Sequence, residues 1–197
     1  MATYTNAFEK AIDHTMFYEV GGFWNVDHPA VSPGLIDTAA NRKAVGYVND
    51  PLDNGGETKF GVAKNANTDL NIAELTWDQA KAVYYVRYWL AGKCEQMPAR
   101  LAALHFDGCV NHGIKRANMF VQRALGLAAD GIIGPLTLAK VRVTPTISLC
   151  NNIADQRDLF YRQIVTNNPT QGRYLSGWLR RIAEVRTFVT NQSQNFD

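Results

Sequence analysis

The sequence predicts a mainly α-helical protein with a small β-hairpin and loop lobe near its N-terminus. Apolar residues recur at helical spacing along most of the 197 residues, which is typical of helices that pack one face against a core. Residues 23–60 differ, because proline and glycine interrupt any helix there and "VGYVND" and "TKFGV" are the only strand-like pieces. A hydrophobic fraction of 46% and a charged fraction of 19% argue against disorder and suit a packed core.

The first helix is predicted over residues 5–19. Phe8, Ile12, Met16 and Glu19 fall at helical spacing, and the glycine pair at 21–22 ends the helix. The segment 23–60 is then expected to form loops around the small hairpin.

The rest of the chain is predicted to be helical, and its helix ends carry local signals. Thr76 and Gln79 stand in the positions of a capping box, and Pro135 suits the first turn of a helix. The predicted helices cover residues 76–92, 98–113, 115–126, 146–166 and 174–189, with another that begins at residue 135.

Charge and targeting signals exclude several classes of function. The net charge of +2 and the pI of about 8.4 are too mild to predict nucleic-acid binding. The first residues show no basic n-region, and no later stretch is long and apolar enough to span a membrane, so we expect a soluble protein without stable membrane insertion. Cys94, Cys109 and Cys150 have no recognisable spacing and are expected to be buried free thiols.

Glu19 is the first candidate for chemistry. A carboxylate in the last turn of a helix faces the negative end of the helix dipole, and burial against Phe17, Phe23 or Trp24 would act in the same direction. Both effects would raise the pKa of Glu19, and a glutamate that stays protonated can donate the proton that glycosidic cleavage requires. The alternative interpretation is a plain helix-end glutamate before a glycine cap.

The stretch "VNDPLDNGGETKFGV" (residues 48–62) holds a second group of polar residues. Asp50, Asp53, Glu57 and Thr58 surround a glycine pair, as in an acidic turn or a weak mimic of a calcium loop. The stretch lacks the alternating oxygen ligands and closing glutamate of an EF-hand. Further on, "HFDGCVNHG" offers two histidines without a third ligand at a zinc spacing. We therefore predict no metal and no cofactor.

An ordered set of motifs covers almost the whole chain to about residue 182. It starts with the glutamate before Gly-Gly and continues through "GYVNDPLDNGGETKFGV", "LTWDQAKAVYYVRYW", "HFDGCVNHG", "VQRALGLAADGIIGPLT", "DQRDLFY" and "LSGWLRR". In this order the motifs resemble glycoside hydrolase family 108, a family of N-acetylmuramidases known mainly as bacteriophage endolysins and related bacterial secretion-associated muramidases.

The resemblance implies a lysozyme-like α fold and cleavage of the β-1,4 bond between N-acetylmuramic acid and N-acetylglucosamine in peptidoglycan. The family's catalytic glutamate, in its E-G-G motif, carries onto Glu19. In the D-P-x-D-x-G-G-x-T motif that follows, Asp53 and Thr58 are the remaining catalytic candidates. Glu19 is expected to protonate the leaving oxygen, while Asp53 and Thr58 position water or stabilise an oxocarbenium-like transition state.

Four further residues are expected to bind substrate: Asp50, Gly56, Trp24 and Asn111. Trp24 lies at the base of an insertion, residues 23–45. This insertion and the extra Val20 depart from the family's pattern. The insertion forms either a wall of the glycan groove or an inert surface excursion. Asn111 shares a helix face with Asp107, and that face either lines the groove or forms a buried hydrogen-bond network. The insertion leaves open the distance from Glu19 to Asp53.

The expected domain organisation has two parts. Residues 1–92 form the muramidase catalytic region with the inserted loop 23–45, and residues 93–190 form a helical C-terminal lobe that resembles a peptidoglycan-binding region. The two parts are expected to pack into one compact unit. Within this lobe, "ADGIIGPLT" is similar to the D-G-x-x-G-x-x-T turn of cell-wall-binding modules, and its physical role is a tight turn that leads into a helix.

The function expected from these features is that of an endolysin that hydrolyses bacterial peptidoglycan and causes host cell lysis. We expect a monomer that is made in the host cytoplasm without a signal peptide, acts in the periplasm and is released through a holin. The alternatives are a lytic transglycosylase on the same bond and a non-catalytic wall-binding or virion protein. Retention of Glu19, Asp53 and Thr58 argues against a protein that has lost its chemistry.

Overall fold

The structure is a computed structural model that describes residues 3–21, 36, 38–50, 56–191 and 193–196. The described residues form eight α-helices and one two-stranded antiparallel sheet. In chain order these are α1 (Asn6–Glu19), α2 (Ala39–Ala44), β1 (Thr58–Lys59), β2 (Val62–Ala63), α3 (Trp77–Tyr84), α4 (Ala99–His112), α5 (Ile114–Ala124), α6 (Pro135–Val143), α7 (Thr146–Asn167) and α8 (Gly172–Thr190). The mainly helical fold with a small hairpin near the N-terminus is confirmed.

Local signals account for most helix boundaries. In the capping box that starts α3, the Gln79 amide donates to Thr76 Oγ1 at 3.2 Å and the Thr76 amide donates to Gln79 Oε1 at 2.9 Å. Proline at the first position of α6 needs no hydrogen-bond partner for its nitrogen, as predicted. Left-handed glycines follow α4 and α5, at Gly113 and Gly126.

Two local features differ from the sequence prediction. The segment predicted as loop contains α2, whose start is stabilised by Thr38, because its Oγ1 accepts from the Asn41 amide at 3.1 Å. The single helix predicted from residue 76 to 92 is α-helical only to Tyr84 and continues as a π-helical turn over Tyr85–Leu90.

The hairpin is tighter than the predicted strand pieces suggest. Thr58 pairs with Ala63 and Lys59 with Val62, so only Phe60 and Gly61 form the loop. Both residues have positive φ, 53° and 72°, which is the backbone of a type I′ turn and matches the twist of the strands. The "VGYVND" stretch contributes a single bridge, between Val48 and Thr58.

The chain divides into two compact units. The hairpin unit comprises Ile12–Val86, and the helical unit comprises Met1–Ala11 with Arg87–Asp197. In the helical unit, the rings of Phe8, Trp89 and Phe106 meet edge to face with centroids 5.3–5.8 Å apart. The expected division at residue 92 stays a prediction.

A buried ionic network joins α4, α7 and α8 in the helical unit. Asp107 accepts from Arg157 at 2.6 Å and from Arg181 at 2.8 Å, and it is fully buried. Arg157 Nε also donates to His112 Nε2 at 3.2 Å, and Tyr161 Oη donates to the side chain of Asn111.

None of the helices in the described part of the chain has the length and hydrophobicity that a membrane span requires.

Candidate active site

The C-terminal end of α1 presents Glu19 as a half-buried side chain. The helix stops there because Gly21 adopts φ 70°, and its amide donates to the Tyr18 carbonyl at 3.3 Å. Glu19 therefore lies at the negative end of the helix dipole, which disfavours the negatively charged form of its side chain.

The turn of the hairpin meets Glu19 in the hairpin unit. A Cβ atom placed on Gly61 would lie 3.2 Å from Glu19 Cβ and 3.6 Å from Glu19 Oε2. Gly61 also has φ 72°, a backbone conformation that favours glycine, and a side chain there would be in tight contact with the glutamate.

Tyr84 supports the same turn from α3. Its hydroxyl donates to the Phe60 carbonyl at 3.0 Å, and both side chains are buried. The Cβ placed on Gly61 would lie only 2.4 Å from Tyr84 Oη. Tyr84 and Glu19 thus both lie next to the Cβ position of Gly61. A buried hydrogen bond from Tyr84 holds the turn in place beside the glutamate.

The segment after α2 packs against the residue that follows Glu19. A Cβ atom on Gly46 would lie 3.0 Å from Val20 Cγ1, and the Phe60 amide donates to the Val45 carbonyl at 2.7 Å. Residues 45–46 therefore contact both the end of α1 and the hairpin, which fixes the position of Glu19 relative to the turn.

Thr58 belongs to the hairpin whose turn contacts Glu19. Its amide donates to Val48 and its carbonyl accepts from Val48, at 2.8 and 2.9 Å, so its backbone is fixed on that side. Its hydroxyl donates to the Gly56 carbonyl at 3.1 Å. Gly56, with φ 67°, adopts the left-handed conformation that the tight start of the strand requires.

Two further groups set the electrostatics of the hairpin. Tyr47 Oη donates to Glu57 Oε1 at 2.7 Å, and this hydrogen bond raises the pKa of Tyr47. The Lys59 amine is buried and donates to the Ala73 carbonyl at 2.9 Å. Burial lowers the pKa of Lys59, and the nearby charge of Glu57 partly opposes that effect.

The structure describes only some of the other predicted site residues. Asp53 and Trp24 lie outside the described residues, as does most of the insertion 23–45, so their roles stay predictions. Asp50 is described and is exposed. Asn111 belongs to the helical unit, where it accepts from Tyr161, and its expected substrate contact also stays a prediction.

Among the described residues, no group of three or more histidine, cysteine, aspartate or glutamate side chains could hold a metal ion. The three cysteines are buried and free, as predicted. The described residues of this site offer the carboxyl group of Glu19, the hydroxyl group of Thr58 and backbone amides.

Sequence reasoning missed Gly61 and Tyr84. Tyr84 carries no local signal of a role in the site, and Gly61 falls within the strand-like piece "TKFGV". The positive φ of a two-residue turn requires a residue such as glycine, and that signal was present in "KFGV". The contact with Glu19 had no local signal, since it depends on tertiary structure.

Comparison with known proteins places two family matches along the chain. Residues 43–113 match the model described as Glycosyl hydrolase 108, and residues 116–183 match the model described as Predicted Peptidoglycan domain. Eleven solved chains match this one. One, the structure of Brucella abortus SagA, is 26% identical with a TM-score of 0.64, over 76% of this chain and 88% of that chain. A search of curated proteins finds no match.

These matches support a glycoside hydrolase of the cell wall that acts on peptidoglycan. The first matched segment begins at residue 43 and so includes Thr58 and Gly61 but not Glu19. The contact between Glu19 and Gly61 links the end of α1 to that segment.

Proposed function

We propose that this protein is an N-acetylmuramidase that hydrolyses the β-1,4 bond between N-acetylmuramic acid and N-acetylglucosamine in bacterial peptidoglycan. The observation that carries the proposal is the position of Glu19, which ends α1 beside the turn of the hairpin that carries Thr58. The two family matches support the substrate, because one is a glycosyl hydrolase and the other a peptidoglycan domain.

Glu19 acts as the general acid in this proposal. Its place in the last turn of α1 favours the protonated carboxyl, since the helix dipole disfavours the carboxylate. A protonated glutamate can donate to the glycosidic oxygen as the bond breaks, a step worth about 10²–10⁴-fold in rate. The buried hydrogen bond of Tyr84 and the packing of Gly61 keep the carboxyl group in one place during this transfer.

Thr58 and Asp53 serve the other half of the reaction. The Thr58 hydroxyl can hold a water molecule but cannot take its proton, so a carboxylate is needed as well. Asp53, in the glycine-rich segment before β1, is proposed as that carboxylate. Thr58 already donates to Gly56, which leaves the lone pairs of its hydroxyl able to accept from water.

The biological role that we propose is that of a phage-type endolysin acting in the periplasm as a monomer. It would be made in the host cytoplasm and released through a holin, and its hydrolysis of the wall would lyse the host. The mechanism needs no metal and no cofactor.

The test is the activity of Glu19→Gln on isolated peptidoglycan. The amide has the size of the acid but cannot donate a proton as an acid, so a folded variant should lose about 10²-fold or more. Mass spectrometry of the wild-type digest should show reducing muramic ends. A folded Glu19→Gln protein with more than roughly a tenth of the wild-type rate would contradict the assignment, and anhydro-muramic ends would identify a transglycosylase.

The same assay ranks the other site residues. We expect the loss to be largest for Glu19→Gln, smaller for Asp53→Asn and about 10- to 100-fold for Thr58→Ala, which corresponds to about 1.4–2.8 kcal/mol. Asp50→Asn should lower the melting temperature more than the rate, because Asp50 precedes Pro51 and is expected to cap the turn. An inactive, folded Asp50→Asn with an active Asp53→Asn would make Asp50 the second carboxylate.

A further inference from the structure

Helix α6 in the helical unit carries apolar residues on its solvent side as well as on its buried side. Thr137, Leu138 and Val141 are buried and anchor the helix. On the opposite side, Leu136 is 73% exposed and Val143 is 78% exposed. With 100° between successive residues, the positions 136, 139 and 143 fall on one stripe directly away from the core. We call this stripe, with its flanking residues, the outer face of α6: Leu136, Ala139, Lys140, Arg142 and Val143.

The turn before α6 carries another exposed apolar residue, Ile132. Ile132 is 68% exposed, although its backbone is tightly fixed. Its amide donates to Asp130 Oδ1 at 2.8 Å, and its carbonyl accepts from the buried Gln122 amide at 3.0 Å. Gln122 also accepts from the Gly131 amide at 2.8 Å. Ile132 therefore adds an exposed apolar side chain to the segment that leads into α6.

All the charged residues of α6 are basic. Lys140 and Arg142 flank the apolar stripe on its two sides, and α6 contains no acidic residue. The nearest acid in sequence, Asp130, accepts hydrogen bonds from Gln122 and from the Ile132 amide within the turn. A ligand that fits this face therefore combines small apolar groups with negative charges.

We propose that the outer face of α6 binds the stem peptides of peptidoglycan. Stem peptides combine the methyl groups of alanine residues with free carboxylates, which complement the aliphatic stripe and the cations Lys140 and Arg142. The glycan strand fits less well, because sugar rings pack on flat aromatic faces and residues 132–143 include no aromatic residue. The proposal rests on the proposed function for its choice of polymer, and the whole face lies within the segment that matches the Predicted Peptidoglycan domain.

The test is co-sedimentation of the full-length protein with isolated sacculi in the cold. The double variant Leu136→Ser, Val143→Ser should bind at least about tenfold more weakly. Leu159→Ser is the matched control, because Leu159 is an exposed leucine on α7 outside this face, and it should bind as the wild type does. Sacculi from which an amidase has removed the stem peptides should bind the wild type at least about tenfold more weakly as well.

A charge variant checks the second feature of the face. Lys140→Glu, Arg142→Glu should also bind sacculi about tenfold more weakly, whereas Arg123→Glu, an exposed arginine near the end of α5, should not. Unchanged binding of both double variants would overturn the proposal. Equal binding of the wild type to sacculi with and without stem peptides would also overturn it. The same holds if the wild type binds anionic phospholipid vesicles and the double variants do not, or if the wild type is a dimer and the double variants are monomers.

Binding and catalysis are measured separately in this design. If Glu19→Gln remains active, the proposed catalytic role fails while the sedimentation result stands. If the double variants bind sacculi as the wild type does, the stem-peptide proposal fails whatever the activity of Glu19→Gln.

Discussion

At the scale of single residues, Gly61 shows how the candidate acid is positioned. A side chain at Gly61 would overlap Tyr84 Oη and contact Glu19 closely, because both residues lie next to its Cβ position. Tyr84 cannot easily move aside, since its ring is buried and its hydroxyl is bonded to the Phe60 carbonyl. The position of the glutamate therefore depends on a residue that takes no part in the chemistry.

We predict that Gly61→Ala reduces activity far more than its effect on stability explains. The left-handed backbone alone costs about 1–2 kcal/mol for an alanine. The overlap with Tyr84 would in addition shift the turn or Glu19, and a displacement of about 1 Å can cost on the order of 10²-fold in rate. Hydrolysis of peptidoglycan and the melting temperature measure the two effects.

The matched control for Gly61→Ala is Gly126→Ala. Gly126 has φ 68°, close to that of Gly61, but a Cβ atom there would meet nothing within 4 Å. It should show the backbone strain without the loss of activity. The double variant Gly61→Ala, Tyr84→Phe removes the overlapping hydroxyl and should recover part of the rate. Equal activity of Gly61→Ala and Gly126→Ala would show that Gly61 does not position Glu19.

At the scale of secondary-structure elements, Asp107 ties three helices of the helical unit together. Burial alone would raise the pKa of Asp107, but the charges of Arg181 and Arg157 and their hydrogen bonds outweigh it and hold the pKa well below its ordinary value. The carboxylate therefore stays ionised, and it is the countercharge for one arginine of α7 and one of α8.

We predict that Asp107→Asn strongly destabilises the helical unit. The variant leaves the guanidinium groups of Arg157 and Arg181 buried or nearly buried without their countercharge, which costs about 3–5 kcal/mol. Asp158→Asn breaks the exposed pair with Arg162 and should cost only about 0.3–0.5 kcal/mol. Urea unfolding compares the two variants, and similar midpoints for both would contradict the role of the network.

Elements with local start and stop signals could be predicted from sequence, and those without them could not. The capping box of Thr76 and the proline of α6 act on adjacent backbone groups, so the sequence shows them directly. The six-residue helix α2 is too short for an apolar periodicity, and only Thr38 marks its start. Glu19 could be proposed from the glycines that follow it. The residues that hold Glu19 in place could not be predicted, because Tyr84 and Phe60 are 24 residues apart and meet only in the folded chain.

At the scale of the whole molecule, the two family matches cover successive segments of the chain. The segment 43–113 carries the hairpin, and the segment 116–183 carries α6 and its outer face. Under the proposed function, the first supplies cleavage and the second supplies attachment to the wall. An enzyme that acts on a solid polymer gains from such attachment, because a bound protein meets the next bond at a high effective concentration.

The stability of the protein in mildly acidic solution should depend on His112. Burial and the charge of Arg157 lower the pKa of His112 from the ordinary value of 6.5 to about 3. The contact with Arg157 explains the direction: Arg157 Nε donates to His112 Nε2, which must remain an unprotonated acceptor. The folded protein thus keeps a neutral histidine at pH values where the unfolded chain binds a proton.

We predict that the free energy of unfolding falls as the pH is lowered below 6.5. The unfolded state binds the additional proton between the two pKa values, so the stability from this group is complete above pH 6.5 and decreases steadily toward pH 3. Between about pH 7.5 and pH 5 the loss should be about 2 kcal/mol. Asp107 adds nothing in this interval, because its lowered pKa affects stability only near and below 3.8.

His112→Gln keeps an acceptor for Arg157 but cannot be protonated, so urea unfolding of this variant should show a loss about 2 kcal/mol smaller over the same interval. The other histidines are unchanged in the variant, so the difference between the two pH profiles isolates His112. Identical profiles would show that the Arg157 contact does not keep His112 neutral.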